Sequence, residues 1–361
     1  MMTLAALVER FTATLTAWGI PSIVPTLVIM LVVAGIILAY ISVAAMFLIW
    51  WERKISAHIQ VRFGPMRVGG WHGWAQSIAD GIKLLLKEDI IPAGADKVVF
   101  VLAPMVVFAA AVAAYVTIPW GPGLIVRDLN IGVLYMVAIS SLVVVGIIMA
   151  GWSSNNKYAT LGAMRSAAQA VSYEVPLVLS ILGPVMIAGS MSMGKLVAAQ
   201  SGTWLGFLPG WFVFPQIVAF LTYFTCALAE CNRLPFDIPE AESELVAGFH
   251  VEYSGMRFAM FFLAEYANMI VVAAIATTLF LGGWNGPWVP LPGIPRELAH
   301  VLFGLVWFQV KVYFLIFVMM WLRWTLARMR VDQLMGFAWK VLLPIAFANL
   351  IVTGLVLTLK G

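Results

Sequence analysis

Charged residues are scarce in this chain: they make up 11% of its 361 residues, while apolar residues make up 63%. A soluble domain could not bury that much apolar surface, so the composition excludes an ordinary soluble globular protein. The sequence also lacks a Gly-rich phosphate-binding loop, a dinucleotide fingerprint, an internal repeat and a low-complexity tract. The mean hydropathy of +0.98 is instead typical of a polytopic membrane protein.

Cysteine and histidine are also sparse, with two and four residues respectively. Cys226 and Cys231 are five positions apart, and the histidines are scattered along the chain. This spacing frames neither a zinc site nor an iron–sulfur site. We therefore expect no metal, flavin or iron–sulfur cluster to be bound by this chain, and any redox cofactor to belong to another chain.

The apolar residues form continuous runs of about 20 residues, the length of a membrane-spanning helix. A transmembrane barrel would show alternating segments of about ten residues. The sequence thus predicts an all-α, multi-pass fold with one integral membrane domain over residues 1–361. The opening segment carries Glu9 and Arg10 in mid-run, which favours a short interfacial helix over a signal peptide. The eight predicted spans are roughly 22–50, 97–119, 131–152, 169–189, 211–231, 257–281, 303–325 and 339–358.

Lysine and arginine are distributed unevenly between the two sides. The loops that follow odd-numbered spans hold most of the 21 basic residues, while the opposite side holds only five and Lys311 falls within a span. Because cytoplasmic loops carry the excess of basic residues, we expect these loops in the cytoplasm and both termini on the periplasmic side. The net charge of +4 is thereby explained without a nucleic-acid partner.

The first cytoplasmic loop, 51–97, contains "HGWAQSIADGIKLLLKED". Helical spacing places its apolar and polar residues on opposite sides, which predicts an amphipathic helix at the membrane interface or against the bundle. The simplest interpretation is a membrane-surface helix with a solvated charged face. The apolar side comprises Trp74, Ile78, Ile82, Leu85 and Leu86, and the polar side comprises Gln76, Asp80, Lys83 and Lys87.

Acidic residues are concentrated in and around the loop 232–256, where "DIPEAESELV" begins at Asp237. Asp237 and Glu240 resemble a helix capping box, which explains some of the acids but not all of them. At helical spacing, Asp237, Glu240, Glu244 and Glu252 lie near one face. Two carboxylates ~5 Å apart repel by roughly 3 kcal/mol at an effective dielectric of about 20, so we favour a partly buried acidic chain over a solvated face.

Glu174 lies inside the fourth predicted span, where an ionisable group is costly. Ser172, Tyr173 or Arg165 could hold it as a structural carboxylate. The alternative is a proton-carrying site.

Several longer motifs carry a family resemblance: "ERK", "RFGP", "ADGIKLLLKED", "GWSSNNKYATLGAMRSAAQAVSYE", "AECNRLPFDIPEAESELVAGFHVEYSGMRFAMFFLAEY" and "RVDQLMGFAWK". Together they resemble the H-subunit family of bacterial NADH:quinone oxidoreductase, respiratory complex I, over essentially residues 20–358. The resemblance implies a protein that forms much of the quinone chamber and begins an acidic path toward the proton-pumping subunits. It also implies quinone, expected to be ubiquinone, as substrate, a bacterial inner membrane, and the other membrane-arm and peripheral-arm subunits and membrane lipid as partners.

The resemblance also assigns roles to individual residues. Arg53, Arg62 and Asp80 match the quinone chamber and its entrance, with Glu52 and Arg233 in support. The matching proton path comprises Glu174, Glu230, Asp237, Glu240, Glu242, Glu244, Glu252 and Glu265.

The sequence departs from the family pattern in two places. Met66 stands where family members usually have Asn, which affects hydrogen bonding beside Arg62. Ala327 and Met329 replace residues of a Pro-Arg-x-Arg loop that docks onto neighbouring subunits.

Two other functions remain open. One is the related membrane anchor of a membrane-bound hydrogenase or ferredoxin-linked complex, and the other is a free-standing ion transporter. The absent repeat and the large cytoplasmic loops argue against a transporter.

Overall fold

The structure, a computed structural model, describes residue 21 and residues 23–204, 208–239, 242–287 and 295–360. The predicted interfacial helix at the N-terminus lies outside the described residues, and so does Glu240.

Long apolar helices dominate the described part of the chain, which confirms the predicted all-α, multi-pass fold. Seven helical segments are long and apolar enough to cross a membrane, and a shorter apolar helix, Ile217–Glu230, takes the place of the fifth predicted span. The helices are α1 Ile23–Ile59, α2 Gln76–Leu86, α3 Lys97–Ala113, α4 Gly132–Ser153, α5 Lys157–Ala188, α6 Met193–Ala199, α7 Ile217–Glu230, α8 Glu242–Leu245, α9 Gly255–Phe280, α10 Arg296–Thr325, α11 Val331–Phe337 and α12 Leu343–Lys360.

Shorter elements connect the helices. A 3-10 turn precedes α2 (Trp71–Gly73), another follows α3 (Ala114–Thr117), and a third precedes α9 (Gly248–His250). A π turn, Ala338–Leu342, joins α11 to α12. Two strands of two residues each, β1 Thr203–Trp204 and β2 Leu208–Pro209, pair antiparallel between α6 and α7. The hydropathy pattern gave no sign of this small ribbon.

Helix α9 forms the centre of the bundle, and most of its apolar, membrane-spanning part is buried. Buried tyrosines of two neighbouring helical segments donate hydrogen bonds to its backbone: Tyr115 to the carbonyl of Ala267 at 3.0 Å and Tyr223 to that of Val272 at 2.9 Å. These bonds satisfy the phenol groups, which could not otherwise be buried without a cost. Glu265, the acid that α9 carries, is therefore held at a fixed place in the bundle.

Two helices extend beyond their predicted spans. Helix α1 continues to Ile59, and α5 begins at Lys157 rather than near residue 169. The side chain of Asn156 caps α5 by accepting a hydrogen bond from the backbone N–H of Tyr158 at 2.9 Å. Hydropathy detects only the apolar part of such a helix, so most of the predicted loop 152–168 is a helical extension.

Helix α2 matches the predicted amphipathic helix. Its Ser77 is buried on the side that faces the bundle, while Ile82, Leu85 and Leu86 are exposed. Its polar side reaches α1 through Asp80. The helix therefore lies against the bundle with much of its apolar side outward, as expected at a membrane interface.

The acidic segment does not form one continuous helix. Helix α8 is a single turn that ends at Leu245, and positive φ angles follow at Val246 (67°) and Gly248 (61°). A helix cannot continue through left-handed backbone. The expectation that Asp237, Glu244 and Glu252 share one helical face is therefore wrong, and Asp237 does not begin a helix.

Candidate functional site

Three carboxylates from three different helices lie along a line of small internal cavities. Glu230, at the end of α7, and Glu265, on α9, line a cavity of about 40 Å³. Glu230 and Glu174, on α5, line a second cavity of about 30 Å³. Each cavity is large enough for at least two water molecules, since one needs roughly 10–15 Å³. The order along the line is therefore Glu265, Glu230, Glu174.

Two amides add to the polar lining of these cavities. Asn232 and Asn268 each line both of them. Asn268 follows Glu265 by three positions on α9, so both side chains lie on the same side of the helix. Sequence reasoning did not include Asn268, although an amide one turn from a carboxylate in an apolar helix was an available signal. Side-chain amides can both donate to and accept from water in such a cavity.

Glu174 is not held by the residues considered as its structural partners. Tyr173 donates to the carbonyl of Leu334 at 2.9 Å, and Ser172 donates to that of Ala168 at 2.8 Å. Arg165 contacts Glu244 at 2.6 Å. Each of the three is thus engaged elsewhere, and Glu174 faces the cavity it shares with Glu230.

A buried ion cluster adjoins the Glu265 end of the line. The Arg233 guanidinium lies 3.0 Å from Glu52 and 2.6 Å from Glu265. Arg323 also contacts Glu52, and the Tyr266 hydroxyl donates to Glu52 at 2.7 Å. The cluster therefore balances two arginines against two glutamates and joins α1, α9 and α10 to the loop after α7.

Arg233 does not pair with Glu230, although a continued helix would have placed it one turn away. Helix α7 ends at Glu230, and Asn232 has a φ of 50° that turns the chain toward α1. Burial opposes the charge on Arg233, but the Glu265 and Glu52 carboxylates outweigh it and raise the pKa of the guanidinium well above its ordinary value. Arg233 is thus a permanent cation, and Glu230 lines the two cavities instead of pairing with it.

The residues assigned to the quinone chamber lie at the same end of the bundle as the cluster. Arg53 and Asp80 form an ion pair at 2.6 Å, and Gln76 donates to Asp80 at 3.1 Å. Both members of the pair are partly exposed. Arg62 is exposed and donates to Gln60 at 2.6 Å, so it is not a member of that pair.

The departure at Met66 is accommodated by Lys54. The Lys54 ammonium donates to the carbonyl of Pro65 at 2.6 Å and contacts the Met66 sulfur at 3.1 Å. The Arg62 side chain donates a hydrogen bond to Gln60 rather than to the Pro65–Met66 segment. The thioether is a weak acceptor, so the backbone carbonyl provides most of the attraction.

Three further acids hold contacts with separate elements of the chain. Asp237 contacts Arg328 at 3.0 Å, Glu244 contacts Arg165, and Glu252 accepts from Asn156 at 2.6 Å. Glu242 lies in α8. The loop with Ala327 and Met329 still docks on this segment, because the Met329 N–H donates to the carbonyl of Pro235 at 3.2 Å.

His250 also lines the larger cavity, but it lies outside the spans. Burial among aromatic side chains lowers the pKa of its imidazole to about 4. The ring is therefore neutral at physiological pH.

The fold and these contacts define a multi-pass membrane protein with partly buried carboxylates that line a series of small cavities. The family model described as NADH dehydrogenase matches residues 30–354. The chain is 51% identical over 324 residues to the NADH-quinone oxidoreductase H subunit of Dehalococcoides mccartyi strain CBDB1, covering 90% of this chain and 86% of that protein. It is 47% identical to the H subunit of the same enzyme in Carboxydothermus hydrogenoformans, covering 93% and 91%. The chain belongs to the H-subunit family of NADH-quinone oxidoreductase.

Proposed function

We propose that this chain is the quinone-chamber and coupling subunit of a proton-translocating NADH:quinone oxidoreductase. The observation that carries the proposal is the line of three carboxylates joined by two cavities. A line of carboxylates, amides and water can pass a proton through the apolar interior. The names of the relatives favour this enzyme over a hydrogenase or ferredoxin-linked complex.

The quinone end of the chain is assigned to the region around Arg53 and Asp80. A quinone head group needs polar contacts, while its isoprenoid tail, expected to be that of ubiquinone, needs an apolar passage. The Arg53–Asp80 pair provides the polar contacts, and the exposed apolar side of α2 lies next to it. Arg62, which is exposed nearby, is assigned to the entrance.

Helix α1 links that end to the acid line. Glu52 precedes Arg53 directly, yet Glu52 is buried in the ion cluster while Arg53 is partly exposed and faces Asp80. A change of charge at the Arg53–Asp80 pair therefore acts one residue away from the partner of Arg233. Through Arg233, it alters the electrostatic field at Glu265, which begins the line.

The surrounding acids have a fastening role in this proposal. Asp237, Glu244 and Glu252 hold the segment against three other parts of the chain. They provide negative charge where the path meets the cytoplasmic side, and the family resemblance assigns Glu240 and Glu242 to the same path. The excess of cations at this end favours a cytoplasmic position in a bacterium, with both termini on the outer side of the inner membrane. The other complex subunits and membrane lipid are the partners.

Replacing Glu230 with Gln tests the proposal, because Gln preserves the shape but cannot carry a proton. We expect an assembled complex with normal electron transfer from NADH to an artificial acceptor at the flavin. Quinone-coupled turnover and proton translocation should fall at least tenfold. Native gels measure assembly, and a pH-sensitive dye in inverted membrane vesicles measures pumping.

Glu297→Gln is the matched control, since Glu297 is exposed in the first turn of α10. It should pump at the wild-type rate. An assembled Glu230→Gln variant that also pumps at the wild-type rate would remove Glu230 from the path.

A further inference from the structure

The acid line has a branch that points away from the acidic end of the bundle. Glu230 lines a third cavity of about 10 Å³, which continues along α9 past Val272 to Ile275. This cavity holds about one water molecule. Leu281, the residue that follows the far end of α9, is six residues beyond Ile275, or about 9 Å at the helical rise. The cavity therefore leads from Glu230 part of the way toward the far end of α9.

Lys311 of α10 closes that far end. It is buried, and its ammonium donates to three backbone carbonyls of the turn that follows α9: Leu281 at 2.7 Å, Gly283 at 2.9 Å and Asn285 at 2.5 Å. Its ammonium also lies 4.5 Å from the ring centroid of Trp211. Three acceptors require three N–H donors, and only the charged ammonium has three. The negative end of the α9 dipole favours the same charge.

The backbone around Lys311 is tightly tied, so the cation has a fixed position. Gln200 donates to the carbonyl of Thr278 at 2.8 Å and accepts from the N–H of Gly282 at 2.9 Å. Asn285 donates to the carbonyl of Val197 at 3.0 Å. These bonds join α6, α9 and the turn after α9 into one plug at the far end.

From this arrangement we infer that Lys311 gives the chain a second function, as an electrostatic barrier that stops protons from escaping through the branch. A fixed positive charge in a low-dielectric interior repels a proton that advances from Glu230 past Ile275. The barrier keeps protons on the line toward Glu174. This inference rests on the proposed proton path, but it concerns leak without turnover rather than pumping.

The test measures passive proton leak in proteoliposomes that contain the whole purified complex. Pyranine trapped inside reports internal pH after an external acid jump, with valinomycin and potassium present and no NADH. In Lys311→Met, the leak per complex should rise about tenfold, the factor expected when a unit charge ~10 Å away is removed at an effective dielectric of about 20. Lys311→Arg keeps the charge and should stay near wild type.

Two further variants separate charge from packing. Trp211→Leu loosens the same plug but leaves the cation, so its leak should remain low. Equal leak in Trp211→Leu and Lys311→Met would overturn the inference, as would a wild-type leak in Lys311→Met. The double variant Lys311→Met with Glu230→Gln should lose most of the added leak, because the branch starts at Glu230. A tenfold leak that persists in the double variant contradicts the barrier.

A Lys311→His variant keeps the test decisive where Lys311→Met does not assemble. The carbonyls that accept from Lys311 also favour a charged imidazole over a neutral one at this position, so the leak of this variant relative to wild type should be low at pH 5.5 and high at pH 8. A ratio that does not change with pH refutes the barrier. Glu230→Gln alone should reduce driven pumping and leave passive leak at the wild-type level. Failure of the proposed path and failure of the barrier therefore give different results.

Discussion

The buried ion cluster predicts a large stability difference between two arginine substitutions. Arg233 is buried and contacts Glu52 and Glu265. Arg233→Met keeps much of the side-chain volume but leaves two buried glutamates facing one remaining arginine. Removing one partner of a buried ion pair costs about 3–5 kcal/mol, because an uncompensated charge stays in the interior. We expect a loss of stability in that range.

Arg330→Met is the matched control. Arg330 contacts Asp332 at 3.3 Å, with 79% and 68% of the two side chains exposed. Exposed pairs of this kind contribute about 0–1 kcal/mol. The two substitutions therefore remove the same group from a buried and from an exposed pair.

A second substitution tests whether the loss arises from unbalanced charge. Arg233→Met combined with Glu265→Gln restores one arginine to one glutamate, because Arg323 still contacts Glu52. The double variant should regain at least half of the lost stability. The destabilisation by Arg233→Met alone should also shrink as the pH falls from 8 to 5.5, since protonation removes the excess negative charge.

The assay heats the purified complex in detergent and follows the soluble fraction of this chain by immunoblotting. The midpoint should fall by several degrees for Arg233→Met and stay within one degree for Arg330→Met, as the free-energy ranges above imply. Equal midpoints for the two variants would refute the reasoning. A double variant no more stable than Arg233→Met would show that the lost contact, not the charge balance, determines the effect.

Three other outcomes follow from the structure. Arg53→Met removes a partly exposed ion pair worth below about 1 kcal/mol, so the complex should assemble. Its KM for a short-chain quinone should rise about tenfold if Arg53 contacts the head group. An unchanged KM contradicts that assignment. His250 has a folded-state pKa of about 4, below its ordinary value near 6.5, so the folded state binds fewer protons and stability is lost as pH falls from 6.5 to 4, by up to about 3 kcal/mol. His250→Phe should remove that component from the pH dependence of the melting midpoint. Gly73→Ala places a Cβ 2.6 Å from the carbonyl of Pro65 at a φ of +64°, so the loop should rearrange and become more sensitive to trypsin, whereas Gly70→Ala meets no atom within 4 Å and isolates the effect of positive φ.

The spans could be predicted from sequence because lipid requires continuous apolar helices with satisfied backbones. The ends of α1 and α5 could not, since their extensions are polar and hydropathy ends where the apolar run ends. The prediction of one helical face for the acidic segment was wrong for another reason. Its helical spacing was real, but positive φ at Val246 breaks the helix, and nothing in a β-branched residue signals that conformation.

The candidate site could also be predicted only in part. Residue types could be assigned to it from the sequence, but their partners depend on packing. Arg233 contacts Glu52, which lies 181 positions earlier, rather than nearby Glu230. Arg323 is one of the basic residues of the predicted cytoplasmic side, and nothing in the sequence indicates that it contacts Glu52 in the buried cluster. Such contacts follow from how α1, α9 and α10 meet, and a single sequence does not contain that information.

The short helix α7 has a consequence for how the chain is made. Its 14 residues extend about 21 Å, less than the roughly 30 Å hydrocarbon core, so it is a weak independent insertion signal. At its start, Gln216 donates to Thr353 at 2.7 Å and accepts from Asn349 at 2.8 Å, both in α12. The ribosome makes α12 more than a hundred residues after Gln216. Until α12 has been made, the Gln216 side chain lacks its two hydrogen-bond partners in that helix. Biogenesis of the acid-bearing helix is therefore completed only when the last helix has entered the membrane.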